Sequence, residues 1–98
     1  MILESVRITV RAGEEAGFEA AVGQARAIFS RAMGFEGLSL HRSVQHRLVY
    51  ILMIRWATLE HHTVGFRGSA LFAEWRALAG PFFALPPEVE HSAPVIAD

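Results

Sequence analysis

The chain has 98 residues, enough for one domain whose own core gives modest stability. Cysteine is absent, which removes disulfides, thiolate nucleophiles and Cys-ligated metals. The nine basic residues, all Arg, are scattered along the chain against ten acidic ones, for a formal net charge of −1. That balance lacks the basic patch a nucleic-acid partner requires.

Hydrophobic residues make up 52% of the sequence and mean hydropathy is +0.30, high for so short a chain. So much apolar surface in so small a domain points to a partner subunit and predicts a homo-oligomer. The longest apolar run, Leu48 to Ile54, is far too short to cross a bilayer, so no membrane partner is expected. The opening MILESVRITV carries Glu4 and Arg7, has no basic leader and shows no cleavage site, which reads as cytoplasmic.

Ile2 to Val10 alternates, with Ile2, Val6, Ile8 and Val10 on one face and Leu3, Ser5, Arg7 and Thr9 on the other, and predicts a strand. Gly13 punctuates, and Glu14 and Glu15 stand where a helix N-terminus favours negative charge. Phe18, Val22, Ala25, Phe29 and Ala32 follow at helical spacing, with Gly34 in place to end the helix. Glu36 to Val44 predicts a second strand and Gln45-His46 a turn. Arg47 to Trp56 predicts a third strand that is apolar on both faces, with Leu48, Tyr50, Leu52, Ile54 and Trp56 on one side and Val49, Ile51 and Met53 on the other. Such a strand belongs in the middle of a sheet covered twice.

Thr58 is placed to cap a short helix that Gly65 and Gly68 weaken, and Ser69 to cap another. The second piece carries Leu71, Phe72, Trp75 and Leu78 on one face and ends at Gly80-Pro81. A last strand is expected over Glu88 to Ile96, with Val89, His91, Ala93 and Val95 on a shared face. The order β-α-β-β-α-β is the split βαβ, ferredoxin-like α+β sandwich: an antiparallel sheet with helices on one face, in a single domain spanning 1–98. The two-sided third strand places a second subunit's sheet on the other face.

Several of these residues carry a likeness beyond the fold. Trp56 at the end of the third strand is followed by Glu60, Ser69, Phe72 and Trp75, then Gly80-Pro81-Phe82-Phe83 and Val89-Glu90-His91. In order and spacing the chain resembles the antibiotic biosynthesis monooxygenase domain, a dimeric α+β barrel family, over nearly its whole length. The resemblance implies a homodimer with face-to-face sheets and a pocket in each subunit between sheet and helices. It also implies oxidation of an aromatic compound by molecular oxygen with no cofactor, neither flavin, haem nor metal. Two departures qualify that picture. Many members carry a His three residues before the helix Ser, where this chain has Phe66. The haem-degrading relatives use an Asn on the first strand, and this chain contains no Asn, offering Ser5 and Arg7 instead.

Oxygenation without a cofactor needs an electron-rich substrate, such as a phenol, anthrone or quinol, that can be deprotonated. The protein must then supply a base, a dry aromatic pocket and a group that stabilises developing charge. Of the five His, His62 and His91 are the candidate catalytic bases. His62 lies six residues after Trp56 and is able to face the sheet, and His91 sits on the apolar-patterned face of the last strand. A structural, hydrogen-bonded histidine is the ordinary alternative for both. Trp56, Trp75, Phe66, Phe72, Phe82 and Phe83 are able to line a pocket for a flat ring. Trp56, Trp75, Phe66 and Phe82 are the candidate residues for holding it, against the ordinary role of core packing that is expected of Phe72. No metal site is expected, because His61-His62 lacks the i, i+4 spacing of a helical ligand pair. Two alternatives stand beside the oxygenase: a non-catalytic dimer that binds an apolar small molecule, and haem binding without degradation.

Overall fold

The computed structural model describes residues 1–98. Strand β1 (Ile2–Thr9) turns Glu4, Val6 and Ile8 inward, because successive side chains on a strand point to opposite faces. Helix α1 (Glu15–Phe29) buries Phe18, Ala21, Val22, Ala25 and Phe29 along one stripe. After it the chain reverses through Gly34, whose φ of +82° only glycine adopts without strain, into β2 (Phe35–Arg42). Gly34 also makes room for a neighbour, since a Cβ there would lie 2.3 Å from His61 Cγ.

β2 ends at Arg42, two residues before the expected boundary. The Ser43 hydroxyl accepts the amides of Gln45 at 3.1 Å and His46 at 2.9 Å, closing a turn that leaves Val44 wholly exposed. β3 (Val49–Trp56) has the two faces its pattern predicts. Tyr50, Leu52, Ile54 and Trp56 are fully buried, whereas Ile51 and Met53 on the opposite face are half-buried in a single chain.

A π-helical segment (His61–Phe66) follows, entered through Thr58, whose hydroxyl accepts the His61 amide at 3.3 Å. Helix α2 (Ala70–Ala79) starts after Ser69, but Ser69 does not cap it. Its backbone has the extended cap geometry, while its hydroxyl turns back to donate to the Phe66 carbonyl at 2.8 Å. A 3₁₀ turn (Gly80–Phe82) leads toward β4 (Glu88–Ser92). β4 stops at Ser92 rather than Ile96 because its partner runs out: Ser92 pairs with Leu3, next to the start of β1, and Pro94 has no amide to extend the ladder.

The sheet order is β2-β3-β1-β4 and every neighbouring pair is antiparallel. Both helices cover one face, as the sequence predicts, and the core lies between them and the inward side chains of β1 and β3. The opposite face carries Leu3, Ile51 and Met53 with no cover from this chain. No helix is long and apolar enough to cross a membrane.

Candidate functional site

One cavity of about 330 Å³ opens between the helices and the β4 side of the sheet. Val6, Leu52 and Ile54 form its floor, Phe29, Phe66, Phe72 and Trp75 its aromatic wall, and Phe83, Pro86, Pro87 and Val89 its mouth. The wall is rigid because its rings pack on one another. Phe29 lies 5.0 Å from Phe66 in a stacked pair and 5.2 Å from Trp75.

Polar groups gather at one end, and the fold brings them there from four elements. Glu4 points inward from β1 and is 5% exposed. Trp56, at the end of β3, donates its indole N–H to Glu4 Oε1 at 2.9 Å. His62, on the π-helical segment, sets Nε2 3.2 Å from Glu4 Oε2 and stacks its ring on Trp56 at 5.5 Å between centroids. His91 stands opposite Glu4 in the β1–β4 register, and its Nε2 lies 2.7 Å from His62 Nδ1. The result is one continuous hydrogen-bonded chain, Trp56–Glu4–His62–His91. The wide π turn lets His62 and Phe66, four residues apart, both point into the core.

Electrostatics make this chain unusual. Burial pushes the Glu4 carboxyl above its ordinary range, and the Trp56 hydrogen bond and the Arg67 charge pull it partly back. Burial, then the influence of His91 and Arg67, pushes the His62 imidazole down to about 4. His91 is lowered too, by burial and then by Arg67. Both imidazoles are therefore uncharged at neutral pH, and the buried carboxyl holds its proton more tightly than an exposed one. Arg67 and Arg76 border the cavity, and neither is ion-paired with a carboxylate. No group of three or more His, Asp or Glu side chains is arranged to hold a metal ion.

The expected site residues fall into two groups. His62, Phe66 and Trp75 line the cavity, and His91 lies directly behind His62. Trp56 and Phe82 do not line it. Trp56 is 0% exposed and sits behind the site: its N–H holds Glu4 and its ring backs His62, Phe29 and Phe66 without reaching the cavity surface. Phe82 packs against Phe18 and over Gly17, and its neighbour Phe83 takes the place at the cavity. His41 bonds Ser39 on the uncovered face, and His61 bonds Thr58, so neither reaches the cavity.

Glu4 and Arg67 are cavity residues that the sequence pattern alone did not single out, whereas Phe72 and Phe83, weighed there as possible pocket residues, do line it. The signal for Glu4 was present: it falls between Ile2 and Val6 on the inward face of an alternating strand, where an unpaired carboxylate is costly.

Fold and cavity together define a ferredoxin-like domain with an aromatic pocket between sheet and helices, and comparison with known proteins narrows this further. The family model described as antibiotic biosynthesis monooxygenase matches residues 1–78, and the chain belongs to that family. It is 40% identical over 91 residues to the uncharacterised protein YczJ of Bacillus subtilis, spanning 93% of this chain and 96% of that one. A crystal structure of a candidate antibiotic biosynthesis monooxygenase from Bordetella bronchiseptica superposes with a TM-score of 0.95 at 48% identity, covering 97% of each chain. SnoaB, a cofactor-independent oxygenase from Streptomyces nogalater, superposes with a TM-score of 0.81 at 18% identity, covering 98% of this chain and 94% of that one; at that identity the likeness concerns the fold.

Proposed function

We propose that this protein is a cofactor-independent monooxygenase for a small aromatic, phenolic or quinol-like molecule, working as a homodimer of a single domain spanning residues 1–98. The observation that carries the reading is the buried acid–base chain at the closed end of an aromatic cavity. An anthrone or hydroquinone ring lies between Phe66 and Trp75, and the end of the cavity holding His62 takes up its acidic proton, with His91 assisting from behind. The anion left behind is electron-rich enough to reduce oxygen directly. One oxygen atom enters the ring as a carbonyl and the other leaves as water with the two hydrogens of the oxidised carbon, so the substrate itself supplies all four electrons that reduce O2. The apolar walls keep the anion and the reduced oxygen species away from bulk water. Family membership and the fold shared with SnoaB support this reading.

The homodimer reading draws on the uncovered sheet face. Leu3, Ile51 and Met53 form its apolar centre, with Arg7 and Glu88 opposite each other in register beside them, and a second copy of this face supplies the cover that the chain itself does not. Oxygen uptake by chelator-treated protein against anthrones, hydroquinones and catechols tests the activity. Uptake above autoxidation for one chemical class supports it. No uptake across the panel, with the same compounds still quenching tryptophan fluorescence, replaces it with the non-catalytic binding dimer.

A further inference from the structure

We propose that Glu4, rather than either histidine, is the base that takes the ligand's proton, and that His62 and His91 link Glu4 to solvent at the β4 edge. This deepens the oxygenase reading and rests on it for the identity of the proton donor.

The argument starts from lone pairs. His62 borders the cavity, but both of its ring nitrogens are engaged: Nε2 with Glu4 Oε2 at 3.2 Å and Nδ1 with His91 Nε2 at 2.7 Å. Neither nitrogen is free to meet a ligand. His91 does not border the cavity at all. A carboxylate offers about four lone-pair sites, and Glu4 uses one toward Trp56 and one toward His62. Glu4 is therefore the one member of the chain that borders the cavity with acceptor capacity to spare. His91 Nδ1 has no hydrogen-bond partner within the protein, and His91 is half-buried on the outermost strand, which makes it the outlet.

The proton inventory closes. In the ionised state the Glu4 carboxylate accepts the Trp56 N–H and the His62 Nε2–H, and His62 Nδ1 accepts from His91 Nε2–H. A ligand O–H or activated C–H then breaks, a Glu4 O–H forms, and the electron pair stays on the ligand. For the return leg both imidazoles carry their proton on Nδ1, the His62 Nε2 proton having left through Glu4 to water in the cavity and His91 having taken one from solvent. Glu4 then donates to His62 Nε2, His62 Nδ1–H to His91 Nε2, and His91 Nδ1–H to water. One proton leaves the ligand, one reaches water, and all three side chains return to their starting charge. The groups facing Glu4 are Trp56 from β3, His62 from the π-helical segment, His91 from β4 and the Arg67 cation. Burial raises the Glu4 carboxyl toward the range needed to accept a proton from a weak acid.

Two measurements test this, one of them free of any substrate. Carboxyl ¹³C and imidazole ¹⁵N NMR of the wild-type protein should show Glu4 titrating above an exposed glutamate, with His62 neutral and protonated on Nε2 once Glu4 ionises. In Glu4→Gln the side-chain oxygen must still accept from Trp56, so the NH₂ faces His62 Nε2 and the His62 proton should move to Nδ1. An ordinary Glu4 titration, or an unchanged His62 tautomer in the variant, overturns the proposal.

The second measurement uses dithranol, an anthrone whose anion has its own visible band, under anaerobic conditions at pH 7. At equal occupancy, read by tryptophan quenching, the wild-type protein should hold at least tenfold more anion than Glu4→Gln. His62→Gln and His91→Gln should keep the anion but release its proton to a bulk indicator more slowly. Equal anion in Glu4→Gln, or bound dithranol that stays neutral on the wild-type protein, overturns the assignment. If the wild-type protein does not bind dithranol, the NMR result decides. An anion that forms but consumes no oxygen when air is admitted refutes the oxygenase and leaves the role of Glu4 standing.

Discussion

Acidification should destabilise this protein through His62 before most carboxylates titrate. In the unfolded chain His62 takes up a proton near 6.5, whereas in the fold burial holds it down to about 4. A depressed histidine contributes stability that is fully present above 6.5 and lost as pH falls through its folded value. The displacement is about 2.5 pH units, and at about 1.36 kcal/mol per unit it sets an upper bound of about 3 kcal/mol. Glu4 acts with the opposite sign: its raised carboxyl contributes stability that is full below 4.5 and lost as pH rises through the folded value. Urea unfolding of the wild type and His62→Gln at pH 7.5, 6, 5 and 4 separates the two. The wild type should lose stability relative to the variant across the window from 6.5 to 4, by up to about 3 kcal/mol. If His62 were instead an imidazolium paired with Glu4, the wild type would gain on the variant over the same range, and the description of His62 as an uncharged imidazole would fail.

Three further outcomes follow from the packing. Phe29→Ala empties a site where Phe35, Trp56, Phe66 and Trp75 all meet one ring, and should cost about 3–5 kcal/mol by chemical denaturation and loosen the cavity wall. Gly34→Ala forces a side chain into the left-handed region and against the His61 ring, and should cost about 2 kcal/mol, read as a lowered Tm. Met53→Glu puts a charge in the middle of the uncovered sheet face; light scattering should then give a monomer where the wild type gives a dimer, and an unchanged mass would place the dimer contact elsewhere.

Much of the fold was legible in local pattern because local pattern causes it. The period-two alternation of Ile2 to Val10, the helical spacing of Phe18 to Phe29 and the two-sided apolar run through β3 each bury one stripe or two faces, and the structure places them so. Boundaries were less legible, since they depend on partners. β4 stops where β1 begins, and β2 stops where Ser43 captures two amides, and neither event is visible in the residues of the strand itself.

The site divided along the same line. His62 and His91 stood out by residue type, whereas Glu4 did not, because what tolerates a buried carboxyl there is an indole N–H 52 positions away and an imidazole 58 positions away. Long-range hydrogen bonds of that kind leave no local trace. Choosing between Phe82 and Phe83 needed the 3₁₀ turn, whose tighter winding turns Phe82 toward Gly17 and leaves Phe83 at the cavity. Trp56 was legible as an important indole, but as the donor that holds Glu4 in place rather than a surface for a ligand ring.

The most direct test of the central claim follows the oxygen atoms. Metal-free protein is supplied with the panel compound that gives the fastest uptake under ¹⁸O₂, and the product is analysed by mass spectrometry. One ¹⁸O per product, formed with multiple turnovers and reduced to the autoxidation rate in Glu4→Gln, is the predicted result. Product without ¹⁸O and with stoichiometric hydrogen peroxide, or no turnover by the wild-type protein, would contradict a monooxygenase.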